Sequence, residues 1–288
     1  MASKTVGFIG LGQMGLGMAL NLQAAGYGVV GLDTRDEPQQ RLEAKGGRRA
    51  SDPADIGATC DTVIVMVASG AQVFDVVCGQ RGLMKTMQAG TIIVCSTIAL
   101  SEFLDVEQRA RVLGITVLDC PVSGGESGAN AGTLTMLCGG DEARLDGLRP
   151  LLGACAKEIV HLGPAGSGLV GKQANNLIIG INRIAIAEAF AMAQKANVPI
   201  DKLFRALTTC SADSWNLRAM EAQLLRNEYP KMTLHAIKDL TAALDSGRTL
   251  RQSMPLTSLS REIYQMADER LGGMQGSTHI LRFFLDAD

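Results

Sequence analysis

Along the first half of the chain, short apolar runs alternate with longer amphipathic stretches. Thr5-Val6-Gly7-Phe8-Ile9 is the first run and ends in glycines. A helical pattern follows from about Met14 to Ala25, where Gly26 supplies a stop. Gly28-Val29-Val30-Gly31-Leu32 reads as the second strand, with Asp33 directly after it. Thr62–Val67, Thr91–Cys95 and Thr116–Asp119 have the unbroken apolar character of strands buried on both faces. Helical stretches, Glu102–Leu113 among them, separate the strands. This alternation predicts a parallel sheet covered on both sides, with Thr133–Cys138 and Glu158–His161 as extra strands at its far edge.

The pattern changes at Gly163-Pro164-Ala165-Gly166-Ser167-Gly168, after which strand signals nearly vanish. Val170 to about Asn197 predicts one long helix. Val170, Ala174, Leu177, Ile178, Ile181, Ala185 and Glu188 recur along it at helical spacing. Pro199 ends it, and further helices are expected over Asp201–Thr208, Trp215–Leu225, Leu234–Arg248 and Leu256–Arg270. The expectation is an α/β protein: a doubly wound N-terminal domain over 1–164, and an all-α domain over 165–288 joined to it by a long helix.

Composition narrows the function classes. A chain of 288 residues suits two domains, and 47% hydrophobic residues exclude a disordered chain. A formal net charge of −2 leaves no basic excess for nucleic acid. The seven cysteines lie mostly in apolar stretches and form no C-x-x-C, so they read as small buried hydrophobes in a reducing compartment. Three widely spaced histidines form no metal-ligand pattern, so no metal is expected. Met1-Ala2-Ser3-Lys4 leads straight into a strand soon broken by glycines, which is neither a signal peptide nor a membrane span. A cytoplasmic location without a membrane partner follows as the expectation.

Gly10-Leu11-Gly12-Gln13-Met14-Gly15 is a G-x-G-x-x-G. With 33 glycines in 288 residues, about 0.4 such matches arise by chance, so context carries the reading. The motif follows a strand, opens a helix, and has Asp33 at the end of the next strand. This is the dinucleotide-binding arrangement of a Rossmann-type domain. Gly10 allows the tight turn, Gly12 lets the backbone approach a pyrophosphate, and Gly15 lets helix pack on strand. The first amides of the helix meet the phosphate charge. Asp33 can accept from the adenosine ribose hydroxyls and repel a 2′-phosphate, which favours NAD. Arg35 beside it could instead hold that phosphate, which keeps NADP open.

Taken together, four segments resemble the β-hydroxyacid dehydrogenase family, of the 3-hydroxyisobutyrate dehydrogenase and tartronate semialdehyde reductase type. They are Gly7 to Gly15 with Met18-Ala19 and Asn21-Leu22; Asp119-Cys120-Pro121-Val122-Ser123-Gly124-Gly125 running on to Gly132-Thr133-Leu134; Gly166-Ser167-Gly168 with Lys172 and Asn175-Asn176; and Lys238-Asp239-Leu240. The resemblance implies reversible hydride transfer between NAD(P) and a small 3-hydroxy acid. Hydroxyisobutyrate, glycerate or tartronate semialdehyde, and serine- or threonine-like acids are all compatible. It also implies a homodimer or homotetramer assembled through the helical domain, and the small residues Gly180, Ala185 and Ala189 permit such packing.

Such chemistry needs a proton acceptor, a carboxylate holder and a hydride acceptor. The resemblance assigns the proton to Lys172. A free lysine titrates near ~10.4, so burial and a cationic nicotinamide must lower it. Asn176, four residues on, shares its helix face and could orient the substrate; Asn175 points about 100° away and suits a structural amide. Ser123-Gly124-Gly125 after a strand end can form a concave anion site for the substrate carboxylate. By resemblance, Lys238 reaches the cofactor and Thr97 lies near the nicotinamide ribose, while Val67 and Ala68, where the family commonly has Leu-Pro, line the cofactor groove. Asp213 and Arg218 could read a polar substituent or simply be solvated. Two other readings compete: an imine reductase, a related group that usually lacks this lysine, and a non-catalytic dinucleotide-sensing module, which commonly loses it. The presence of Lys172 argues against both.

Overall fold

The computed structural model describes residues 5–229, 235–273 and 279–285. The reading of residues 1–4, and the first residue of the helix expected at Leu234, lie outside them. Residues up to Lys172 and residues from Gln173 onward form two compact units.

The first unit holds a sheet of β1 (Thr5–Ile9), β2 (Gly28–Leu32), β3 (Arg48–Arg49), β4 (Thr62–Val65), β5 (Gly90–Val94), β6 (Ile115–Asp119), β7 (Val122–Ser123), β8 (Leu134–Gly139) and β9 (Ala156–Gly163). Across the sheet the order is β3-β2-β1-β4-β5-β6-β8-β7, with β9 beside β8. Strands β1 to β6 pair in parallel. The two extra strands expected at the far edge are β8 and β9; β8 runs antiparallel to β6 and β7 and parallel to β9. The whole connection from β7 to β8 is residues 124–133, which include α6 (Gly125–Ala131), and it is shorter than the crossover that a parallel return needs.

Alternation along the strands explains their apolar runs. Val6, Phe8, Ile64, Ile93 and Leu118 enter the core on one face with α1 (Gly15–Ala24). Ile9, Val63, Val65, Ile92, Val94 and Val117 enter the core on the other face, with Phe103 and Val106 of α5 (Leu100–Val112). Strand order reverses between β1 and β4, the point where open α/β sheets bind ligands at their carboxyl ends. The remaining helices of the unit are α2 (Asp36–Glu43), α3 (Pro53–Thr59), α4 (Gly70–Cys78) and α7 (Glu142–Leu152). Asp52, Ser69 and Asp141 cap α3, α4 and α7 with their own side chains.

Helix α8 (Ser167–Lys195) begins in the first unit and supplies core to the second. It is long and apolar enough to cross a membrane by length and composition, yet it carries Lys172, Asn175, Asn176 and the buried Arg183. The stripe Val170, Ala174, Ile178 and Ala185 is exposed in the single chain, while Ile184, Ala187 and Phe190 are buried. Around them lie α9 (Ile200–Leu207), α10 (Trp215–Ala219), α11 (Glu221–Arg226), α12 (Ala236–Thr249), α13 (Pro255–Leu271) and α14 (Ile280–Leu285). The single helix expected over Trp215–Leu225 is two, broken at Met220. Met220 is fully buried in one core with Phe204, Leu217 and Leu281, so tertiary packing overrides helical continuity there.

Candidate active site

The glycine loop joins β1 to α1. Gly10 has φ +94°, and a Cβ there would run into the carbonyl oxygen of Met66. At Gly15 a Cβ would strike the carbonyl of Gly10, so helix and strand pack as closely as backbone allows. Gly12 is different: within 4 Å its Cβ would meet only Arg35 Nη2, at 3.7 Å. The fold itself does not need a glycine there, and the space it clears suits a pyrophosphate. Met14 precedes α1 without a side-chain cap, and the first turn has no acid. The first amides of α1 therefore start an uncapped helix, the electrostatic setting for a phosphate. These residues fit a dinucleotide.

Asp33, at the end of β2, is half-buried and closes the loop. Its Oδ2 accepts from the Leu11 amide at 2.7 Å, and its Oδ1 accepts from the Arg35 amide at 2.9 Å and Nε at 3.1 Å. Burial pushes the Asp33 carboxyl up, but the hydrogen bonds from Arg35 and Leu11 outweigh it and hold it below the usual range. Arg35 is thus neutralised by Asp33. Arg35 borders a cavity of about 190 Å³ that Leu11, Gly12, Gln13 and Arg41 also line.

The other expected residues of this unit follow the carboxyl ends of the same strands. Val67 and Ala68 come after β4, with the Val67 amide donating to buried Ser96 Oγ at 2.8 Å. Ser96 was not singled out by sequence; it ties β4 to the segment carrying half-buried Thr97. Ser123 ends β7, and Gly124 (φ +132°) and Gly125 (φ +64°) form an exposed turn. A Cβ at Gly125 would meet nothing within 4 Å, so its left-handed backbone, not crowding, calls for glycine.

Half-buried Lys172 closes the first unit on α8. The start of that helix is held by a residue sequence gave no role. Asp119, the last residue of β6, is fully buried; its Oδ1 accepts from the Gly166 amide and its Oδ2 from the Leu169 amide, both at 2.7 Å. Burial pushes its pKa up to about 6, with the backbone hydrogen bonds pulling the other way. An acid closing an apolar strand was the available signal.

In the second unit, Asn176 accepts from Asn175 Nδ2 at 3.1 Å and donates to Asp239 Oδ2 at 3.0 Å. Asp239 therefore orients Asn176, and Asn175 supports it as a structural amide. Lys238 is exposed on the first turn of α12. Arg218 and Asp213 pair with each other at 2.8 Å, and Arg218 Nη2 also donates to the Thr208 carbonyl.

Comparison with known proteins agrees with this chemistry. Residues 5–163 match the NAD-binding domain of 6-phosphogluconate dehydrogenase, and residues 166–284 match the NAD-binding family of NADP-dependent 3-hydroxyisobutyrate dehydrogenase. A probable mitochondrial 3-hydroxyisobutyrate dehydrogenase of Dictyostelium discoideum is 35% identical, over 92% of this chain and 86% of its own. The chain belongs to the β-hydroxyacid dehydrogenase family. The dehydrogenase is also 31% identical to an L-threonate dehydrogenase of Cupriavidus necator, over 98% of this chain and 96% of the relative. The solved Mycobacterium tuberculosis 3-hydroxyisobutyrate dehydrogenase with L-serine superposes with a TM-score of 0.88 at 31% identity, covering 98% of this chain and 100% of that one. Solved imine reductases are more distant; that of Myxococcus stipitatus, at 17% identity and a TM-score of 0.68, shares the fold. The dehydrogenase is an NAD(P)-dependent oxidoreductase.

Proposed function

We propose that the enzyme transfers a hydride between NAD and a small 3-hydroxy acid, with Lys172 as general acid and base. The observation that carries this reading is the convergence, within one unit, of an open glycine cradle, the Ser123 turn and the Lys172 helix on the carboxyl edge of the sheet. A bound nicotinamide would supply the acceptor, or in reverse the donor, of the hydride at the carbinol carbon. Gly10 to Gly15 hold the pyrophosphate on backbone amides. Val67, Ala68, Thr97 and Lys238 are the further cofactor contacts. Ser123 Oγ and the amides of Gly124 and Gly125 bind the substrate carboxylate, and Asn176, oriented by Asp239, bonds the hydroxyl. Lys172, as the neutral amine, takes the hydroxyl proton during oxidation and gives it back during reduction.

Residues 1–164 are the dinucleotide-binding domain in this reading, and 165–288 the substrate and oligomerisation domain. NAD is preferred over NADP, because the ionised Asp33 both occupies Arg35 and repels a 2′-phosphate. The exposed stripe Val170, Ala174, Ile178 and Ala185 supports a homodimer or homotetramer packed through α8. We assign the enzyme to the cytoplasm. The substrate is a C3 to C5 acid such as 3-hydroxyisobutyrate, glycerate, or a serine- or threonine-like acid; the relatives' names, which print 3-hydroxyisobutyrate, L-threonate and L-serine, support that class. The test is reduced-cofactor formation by purified enzyme from NAD and from NADP with a panel of such acids. Turnover with a 3-hydroxy acid and NAD is expected. Dinucleotide binding without turnover on any acid, or turnover with cyclic imines instead, would refute the proposal.

A further inference from the structure

We propose that Asp119 is a positioning residue for Lys172: its buried carboxylate pins the first turn of α8 to the carboxyl end of β6, and so fixes the lysine relative to the Ser123-Gly124-Gly125 turn. This rests on the reading of Lys172 as the acid–base. Helices α3, α4, α7 and α10 are capped by their own Asp52, Ser69, Asp141 and Ser214. Gly166, the residue before α8, has no side chain to offer and a φ of +93°. The longest helix instead takes its cap from a strand 47 residues earlier in the chain, with both carboxylate oxygens used. A local cap would satisfy the same amides but leave the helix free to shift over the sheet; a cap from β6 does not.

The joint is built for close approach. A Cβ at Gly168 would strike the Leu137 carbonyl and lie 2.6 Å from the Asp119 carbonyl oxygen and 3.0 Å from its Oδ2. At Gly139, on β8, a Cβ would lie 2.8 Å from both the Gly168 amide nitrogen and the Pro164 carbonyl. Strand, carboxylate and helix start are therefore locked in one packing unit. From Asp119 the chain runs forward through Cys120 and Pro121 to Ser123, and through its hydrogen bonds to Leu169, one turn before Lys172. Asp119 thus ties the helix start that carries Lys172 to the strand end that precedes the Ser123 turn. Displacing a reacting group by about 1 Å can lower turnover about a hundredfold.

The experiment compares wild type, Asp119→Asn, Lys172→Ala and the double variant, each loaded with NAD and a turned-over hydroxy acid. Asn keeps the size of Asp but presents an N–H where one amide needs an acceptor. The expected result is a kcat at least about tenfold lower in Asp119→Asn, with the Kd for NADH, read by fluorescence titration, within about twofold of wild type. In the Lys172→Ala background the same change should alter the residual rate less than about twofold, because the effect passes through the lysine. Equal fold-losses in both backgrounds, a kcat close to wild type, or a loss of NADH binding parallel to the loss of kcat would each overturn the proposal. Undiminished turnover in Lys172→Ala alone would instead remove the acid–base reading on which it stands. Should Asp119→Asn fail to fold, Asp119→Ser, which can still accept one of the two amides, takes its place with the same expectations.

Discussion

At the end of β1, Gly10 and Gly15 are glycine because the protein leaves no room for anything else: each Cβ would meet a backbone carbonyl. At the turn after β7, Gly125 faces open space and is set apart only by its φ of +64°. Gly12 has the open surroundings of the second turn inside the sequence of the first. The difference separates glycines that the crowding of the scaffold enforces from glycines that leave open surface. The three glycines of the motif thus differ in what enforces them: backbone carbonyls crowd Gly10 and Gly15, and only the Arg35 guanidinium comes near Gly12.

The largest effect should come from Gly15→Ala, which forces backbone from backbone. A loss of about 3 kcal/mol of stability is expected, measured by urea denaturation; unchanged stability would break the distinction at its firmest point. Between the two turns lies Asp119, whose pKa is pushed from 3.8 up to about 6 in the folded chain. The unfolded chain releases this proton first, so Asp119 lowers stability as pH rises from about 4 to about 6, by roughly 2 kcal/mol. Denaturation midpoints across that range should fall more for wild type than for Asp119→Asn, and parallel curves would show that Asp119 ionises normally. Gly12→Ala should leave the melting temperature alone while weakening NADH binding at least about tenfold; a stability loss with intact binding would place Gly12 among the scaffold glycines. Gly125→Ala is the mildest, with about 1 kcal/mol of backbone strain. It should raise KM for the hydroxy acid a few-fold and leave the Kd for NADH unchanged, and the opposite pattern would detach this turn from the substrate.

Legibility followed burial. Strand β2 spans Gly28–Leu32 as its apolar run indicates, and β1, β4, β5 and β6 fall within two residues of their patterns, since strands covered on both faces carry continuous hydrophobic signals. Strand β3 consists of two exposed arginines, Arg48 and Arg49, and has no such signal. The break at Met220 was hidden because it arises from the core around Phe204 and Leu281, not from a helix-breaking residue. In the candidate site, the glycine loop and Asp33 were readable because their partners lie within one βαβ unit. The cap from Asp119 to Leu169 and the bond from Asn176 to Asp239 link residues 50 and 63 positions apart. No local pattern encodes such pairs; only the folded chain brings them together.

The most direct test of the central claim is Lys172→Ala assayed twice on the same preparation, once for hydride transfer from a turned-over 3-hydroxy acid to NAD and once for NADH binding. The expected result is a kcat about 10²- to 10⁴-fold lower with the Kd for NADH unchanged, because in the proposed mechanism Lys172 moves the proton while the Gly10–Gly15 loop holds the dinucleotide. A variant that turns over at the wild-type rate, or one that loses turnover only because NADH no longer binds, would contradict it.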